Sequence, residues 1–207
     1  MFSRIRFFRP LGMSVRGRYL GSLLLLWLLV NAAVRTALIF MAHRTLDASF
    51  PPGTLVMLYL KGAFNDIFPY VLLTMPLMAL VLLKKNLFTG RAGRAAAAFV
   101  FWLYACAFLF GAVAETLFWE EFSSRFNFIA VDYLIYTTEV LKNIKESYPV
   151  IPLLSAVAAC GAMFAVWAMR GTAKKAHLSA PRPAWLAAAY LALVCAAFFH
   201  TPASSPD

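Results

Sequence analysis

Long apolar stretches, separated by short polar and mostly basic segments, run the length of the chain. A hydrocarbon core of about 30 Å takes roughly 20 helical residues to cross. Five stretches are about that long: residues 20–42, 54–83, 94–117, 150–169 and 184–201. Inside hydrocarbon a backbone must satisfy its own polar groups, so each stretch is predicted to be a helix. Residues 118–149 follow a different pattern. Phe122, Phe126, Ile129, Tyr133, Tyr136, Val140 and Ile144 recur at spacings of four and three, while Arg125, Asp132, Glu139 and Glu146 recur every seven. This is the period of an amphipathic helix. The segment is too polar to span, and its aromatic residues suit the headgroup boundary. The predicted fold is therefore all-α and polytopic, with five transmembrane helices plus one amphipathic helix along the outer surface. A basic tail, residues 1–19, precedes the bundle of residues 20–201. The Pro/Ser-rich residues 202–207 read as the start of an external linker.

Composition supports this pattern. The chain is 62% hydrophobic and 14% charged, whereas soluble domains run near 45–50% and 25%. The net charge of +10 is explained by topology. Arg4, Arg6, Arg9, Arg16 and Arg18 precede the first stretch. Lys84, Lys85, Arg91 and Arg94 follow the second, and Arg170, Lys174, Lys175 and Arg182 follow the fourth. None of these segments contains Asp or Glu. Cytoplasmic loops collect Lys and Arg, which places the N-terminus in the cytoplasm and, after five crossings, the C-terminus outside. No basic cluster is interleaved with aromatics on a soluble face, so no nucleic-acid partner is expected. The first stretch is longer than a signal-peptide core and is closed by no A-x-A-like site, which makes it an uncleaved anchor.

The candidate chemistry is sparse. Cys106, Cys160 and Cys195 lie in apolar runs, and His43, His177 and His200 stand far apart. No metal-ligand spacing is present, so neither a metal nor a cofactor is expected to bind this chain. The ionisable residues within the stretches are Arg35, Lys61, Asp66 and Glu115, and all four fall toward the external side. Lys61 and Asp66 are five apart and share no helix face, so Arg35 is the expected partner of Asp66. Together with Glu121, Arg125, Asn127 and Asp132 of the amphipathic segment, they form the candidate site for a lipid headgroup or a docked domain. A snorkelling Lys61, a purely structural Arg35–Asp66 pair and a packing role for residues 118–149 are the alternatives. Pro69 and Pro76 are expected to kink the second helix. Ala158–Ala162 and Ala188–Ala192–Ala196 are expected to allow close helix packing.

The run EFSSRFNFIAVDYLIYTTEVLKNIKESYP, from Glu121 to Pro149, resembles the membrane region of the lipoteichoic acid synthase-like sulfatases and phosphoglycerol transferases of the alkaline phosphatase superfamily. The KGAFNDIFP run of the second stretch, with Gly62 a few residues before Asp66, is similar to the same family's second span. The resemblance implies a five-helix anchor in the bacterial plasma membrane, the inner membrane of a Gram-negative cell. It also implies an extracytoplasmic catalytic domain with a Thr nucleophile and a divalent metal, often manganese, acting on lipid headgroups or envelope glycans. Thr137 and Thr138 lie without ligands around them, and no residue of this chain is assigned a catalytic role. The expectation is thus a membrane-anchor domain, truncated before its catalytic head, with membrane lipids and that missing or separate head as partners. A free-standing membrane scaffold or lipid-binding accessory module is the alternative.

Overall fold

The computed structural model describes residues 15–46, 51–83, 88, 90–125, 142 and 144–173. Among them the regular structure is entirely helical. In chain order the helices are α1 (Val15–Leu46), α2 (Pro52–Asn65), α3 (Ile67–Leu83), α4 (Gly90–Phe122) and α5 (Val150–Ala173). Four helical segments are long and apolar enough to cross a membrane: Val15–Arg44, Pro52–Val81, Gly90–Phe122 and Val150–Arg170. The expected fifth span at 184–201 lies outside the described residues, as do the two tails and most of the amphipathic segment.

The helices match the apolar stretches but overrun them. α1 has 32 residues and α4 has 33, about 48–50 Å of helix against a hydrocarbon core of about 30 Å. Hydropathy falls at a membrane boundary, whereas hydrogen bonding continues until something interrupts it. For α4 the interruption comes at Ser123, which takes a left-handed φ of 49° while its N–H bonds Trp119 O at 2.8 Å. Such a residue closes a helix C-terminus. Residues 118–122, expected to begin the surface helix, are therefore the last turn of α4, with the Phe118 and Phe122 rings tilted against each other, centroids 4.5 Å apart.

The second stretch, expected as one kinked helix over 54–83, is a single crossing made of two helices. α2 opens with Pro52 in its first turn, where a missing N–H costs nothing. Asp66 then forms a joint. Its own N–H bonds Gly62 O at 2.9 Å, and its carbonyl accepts from Tyr70 N at a longer 3.3 Å. Pro69 lacks an N–H, so the turn that would tie α3 back to Asn65 is open. Pro76 lies inside α3 without ending it.

The helix directions follow from contacts between side chains and backbone. The Tyr19 hydroxyl, near the start of α1, donates to Ala97 O near the start of α4 at 2.9 Å, so these helices run parallel. Tyr148, just before α5, donates to Glu121 near the end of α4 at 3.1 Å, so α5 runs back. The core is aromatic at its centre: Tyr19 and Phe101 are fully buried, with ring centroids 5.5 Å apart. Trp27 sits edge-on to Phe108 at 4.7 Å.

α5 packs on α4 through small residues. A Cβ on Gly161 would stand 2.7 Å from Cys106 Sγ, and the Trp102 indole donates to Ala158 O at 3.0 Å. The buried stripe is Gly161, Ala165 and Ala168, while Ala162 of the expected Ala158–Ala162 pair faces outward. The outer surface of the bundle is apolar. Ile151 is 79% exposed, Leu60 65% and Val56 62%. Water would penalise such a surface, and lipid does not. The protein is a helical membrane protein.

Candidate functional site

Among the described residues, Arg35 of α1 and Asp66 at the α2–α3 joint form the one ion pair that ties these elements together. Arg35 Nη2 donates to Asp66 Oδ2 at 2.8 Å, and the two side chains are only 11% and 12% exposed. The geometry depends on Gly62, one turn earlier. A Cβ there would overlap the Arg35 guanidinium, so glycine at this position lets the arginine lie close across the backbone without shifting. Trp27 fixes the other side of the joint. Its indole N–H donates to Asp66 O at 2.7 Å, supplementing the long Tyr70 bond to the same oxygen. Pro69 breaks the helix here, and a neighbouring helix adds a side-chain donor to the adjoining carbonyl of Asp66, the kind of support that broken membrane helices draw on.

A second ion pair lies at the end of α4. Arg125 Nε donates to Glu115 Oε1 at 2.6 Å, reaching back over the last turns of the helix. Glu115 is mostly covered, at 13% exposure, whereas Arg125 is 57% exposed. Tyr148 joins this end by donating to Glu121. Burial raises the Tyr148 hydroxyl above its usual range, and the hydrogen bond it donates to Glu121 adds to the effect. It therefore stays protonated, and stays a donor, at any physiological pH.

These groups share one depth. Counting helical rise, Arg35 stands about 26 Å from Arg18, Asp66 about 26 Å from the end of α3, and Glu115 about 32 Å from Arg94. Three helices thus place their charged residues about one hydrocarbon thickness from their basic ends. Between α1, α2 and the end of α4 an open crevice of about 560 Å³ is lined by Arg35, Lys61, Gly62, Asn65, Asp66, Trp119 and Arg125, and by Leu38, Met57 and Leu58, which lie farther than Arg35 and Asp66 from the basic end of α1. The Trp119 indole nitrogen is buried without an acceptor among the described residues.

Of the eight candidate residues read from the sequence, four line or floor this crevice: Arg35, Lys61, Asp66 and Arg125. Glu115 joins them through Arg125 and also lines a neighbouring apolar cavity of about 290 Å³. Glu121 pairs with Tyr148 instead, and Asn127 and Asp132 lie outside the described residues. Trp27, Trp119 and Tyr148 went unnoticed in the sequence, since a Trp or Tyr at a membrane boundary carries no signal for a particular partner. Among the described residues no cluster of three or more His, Cys, Asp or Glu exists to hold a metal. The two best-covered carboxylates, Asp66 and Glu115, are each committed to an arginine. The described residues therefore do not fit the divalent metal that the family resemblance implies. No family model, no curated protein and no solved structure matches this chain.

Proposed function

We propose that this chain is the membrane domain of an enzyme acting outside the plasma membrane, of the lipoteichoic acid synthase-like sulfatase and phosphoglycerol-transferase class. In this reading the bundle anchors and orients an extracytoplasmic head that holds the nucleophile and the divalent metal. The N-terminus is cytoplasmic and the membrane is the bacterial plasma membrane. One observation supports it most. The run that resembles that class, Glu121–Pro149, is held at both ends against one rim of the bundle, by Arg125 on Glu115 and by Tyr148 on Glu121. These contacts at the close of α4, on the side away from the basic flanks, give a head a fixed place to rest.

The test is the mass of the native product in membranes, detected with an antibody to residues 118–149. A species far above the calculated 23.0 kDa is expected. A band near 23 kDa with nothing larger would overturn the anchor reading. The crevice would then favour the second reading, a free-standing lipid-binding membrane module.

A further inference from the structure

Asn31 is a polar residue of the bundle that helix packing does not explain. Tyr19, Trp27, Tyr70, Trp102 and Tyr104 each donate to a backbone carbonyl elsewhere in the bundle. Asn31 does not. Its Nδ2 donates to Trp27 O, one turn back on the same helix, at 2.9 Å. Its amide oxygen accepts no hydrogen bond among the described residues. A polar group in a membrane span is costly unless another helix or a ligand bonds it, and no other described helix bonds this one. Asn31 instead lines a groove of about 290 Å³ between α1, α3 and α4, with Glu115 and apolar side chains around it. The groove opens sideways to the bundle surface, because Leu73, Ala107 and Gly111 along it are exposed. A Cβ on Gly111 would meet nothing within 4 Å, so there is free space at this mouth.

The two ends of the groove differ, and their order matches a leaflet. The Tyr19 bond to Ala97 O sets the starts of α1 and α4 level. From that level Tyr104 and Trp27 stand about 10–12 Å along their helices, Asn31 about 18 Å and Glu115 about 27 Å. The aromatic end therefore lies toward the middle of the bilayer, and the polar end toward the boundary remote from the basic flanks. The polar end carries no net charge, since Glu115 Oε1 is held by Arg125. It is rich in acceptors: the other Glu115 oxygen, like that of Asn31, accepts nothing among the described residues. A phosphate would set further acceptors against these, and an ammonium would find no net charge to meet. A hydroxyl is uncharged and donates, so it matches.

We propose that this groove binds an uncharged, hydroxyl-bearing lipid, with its head at the Asn31–Glu115 end and its chain running inward against Phe108 and Tyr104 and out into the bilayer past Gly111. The groove shares no lining residue with the Arg35–Asp66 crevice. The site does not depend on whether the chain serves an external head.

The test uses the full chain in phosphatidylcholine nanodiscs holding equal amounts of monooleoylglycerol and methyl oleate, which share a chain and differ in hydroxyls. Lipid retained after release is read by native mass spectrometry. Wild-type protein is expected to keep monooleoylglycerol about five-fold over methyl oleate, the effect of one hydrogen bond. Asn31→Leu should remove most of that preference while methyl oleate is still retained, whereas a purely structural role would change both alike. Gly111→Leu should lose both lipids, because its side chain fills the mouth. Gly21→Leu makes the same change at an exposed position outside the groove, where a Cβ also meets nothing within 4 Å, and should keep both. All three variants add apolar groups to a membrane bundle and are expected to fold, which circular dichroism checks. Equal retention of the two lipids by the wild type would overturn the proposal. So would an Asn31→Leu protein with the full preference, or equal loss in Gly111→Leu and Gly21→Leu, which would mean diffuse binding around the bundle. Retention of phosphatidylcholine in place of either probe would assign the groove to a bulk phospholipid and refute the hydroxyl lipid.

Discussion

Asp66 carries three structural contacts at once. Its carboxylate holds Arg35, its carbonyl takes the Trp27 indole, and its backbone is the joint between α2 and α3. Removing one partner of a covered ion pair leaves the other charge uncompensated, which costs about 3–5 kcal/mol. Asp66→Ala is therefore expected to lower the melting temperature in detergent sharply, whereas Arg35→Leu combined with Asp66→Leu should recover most of the loss. If the double variant is no better than the single one, the carboxylate matters for something other than Arg35. Gly62→Ala should mimic part of the Asp66→Ala loss, by about 1–3 kcal/mol of overpacking, because the added methyl displaces the guanidinium. The pairing of Arg35 with Asp66 was readable from topology alone, since two opposite charges at one depth on adjoining helices have few other partners. The need for glycine at 62 was not readable, because it depends on which way the arginine folds over the backbone.

Helix packing sorts residues that look equivalent in the chain. Gly161 and Ala162 both belong to the small-residue pattern of α5, but only Gly161 faces α4, against Cys106. Gly161→Ile is expected to push α5 away and destabilise the bundle by about 1–3 kcal/mol. Ala162→Ile, on the outer face, should change stability by less than about 0.5 kcal/mol. Thermal unfolding of both variants in the same detergent decides the matter, and an equal effect would mean that α5 is rotated from the position described. The α2–α3 crossing obeys the same logic. Trp27→Phe keeps the ring against Phe108 and removes the hydrogen bond to Asp66 O, with an expected loss of about 1 kcal/mol. Proline marked this helix for a bend, but the carbonyl that the bend leaves weakly bonded, and the indole that supports it, belong to different helices.

Across the whole molecule, the proposed orientation rests on the asymmetry of charge. Arg16, Arg18, Arg91 and Arg94 cluster where α1 and α4 begin, and the ion pairs use residues from the later halves of those helices, Arg35 and Glu115. A single cysteine introduced as Glu120→Cys, in a background without native cysteines, should react with a membrane-impermeant maleimide added to spheroplasts. Arg91→Cys should react only after permeabilisation. The reverse pattern would invert the topology and place the crevice and the proposed head-docking rim in the cytoplasm.

Membrane embedding, helical class, four of the crossings and the shared depth of the charged residues were all determined by the amino-acid sequence by itself. Each depends on quantities that add up locally along the chain: apolar transfer free energy, helical rise and the placement of Lys and Arg. Tertiary structure alone decided the rest. It chose Arg125 for Glu115 and Tyr148 for Glu121, ended α4 at Ser123, turned Gly161 and not Ala162 toward α4, and gathered Lys61, Arg35 and Arg125 around one crevice. These outcomes follow from the rotation of each helix about its own axis. In lipid that rotation is set by side-chain packing and interhelical hydrogen bonds, because an apolar surface is equally content on every side.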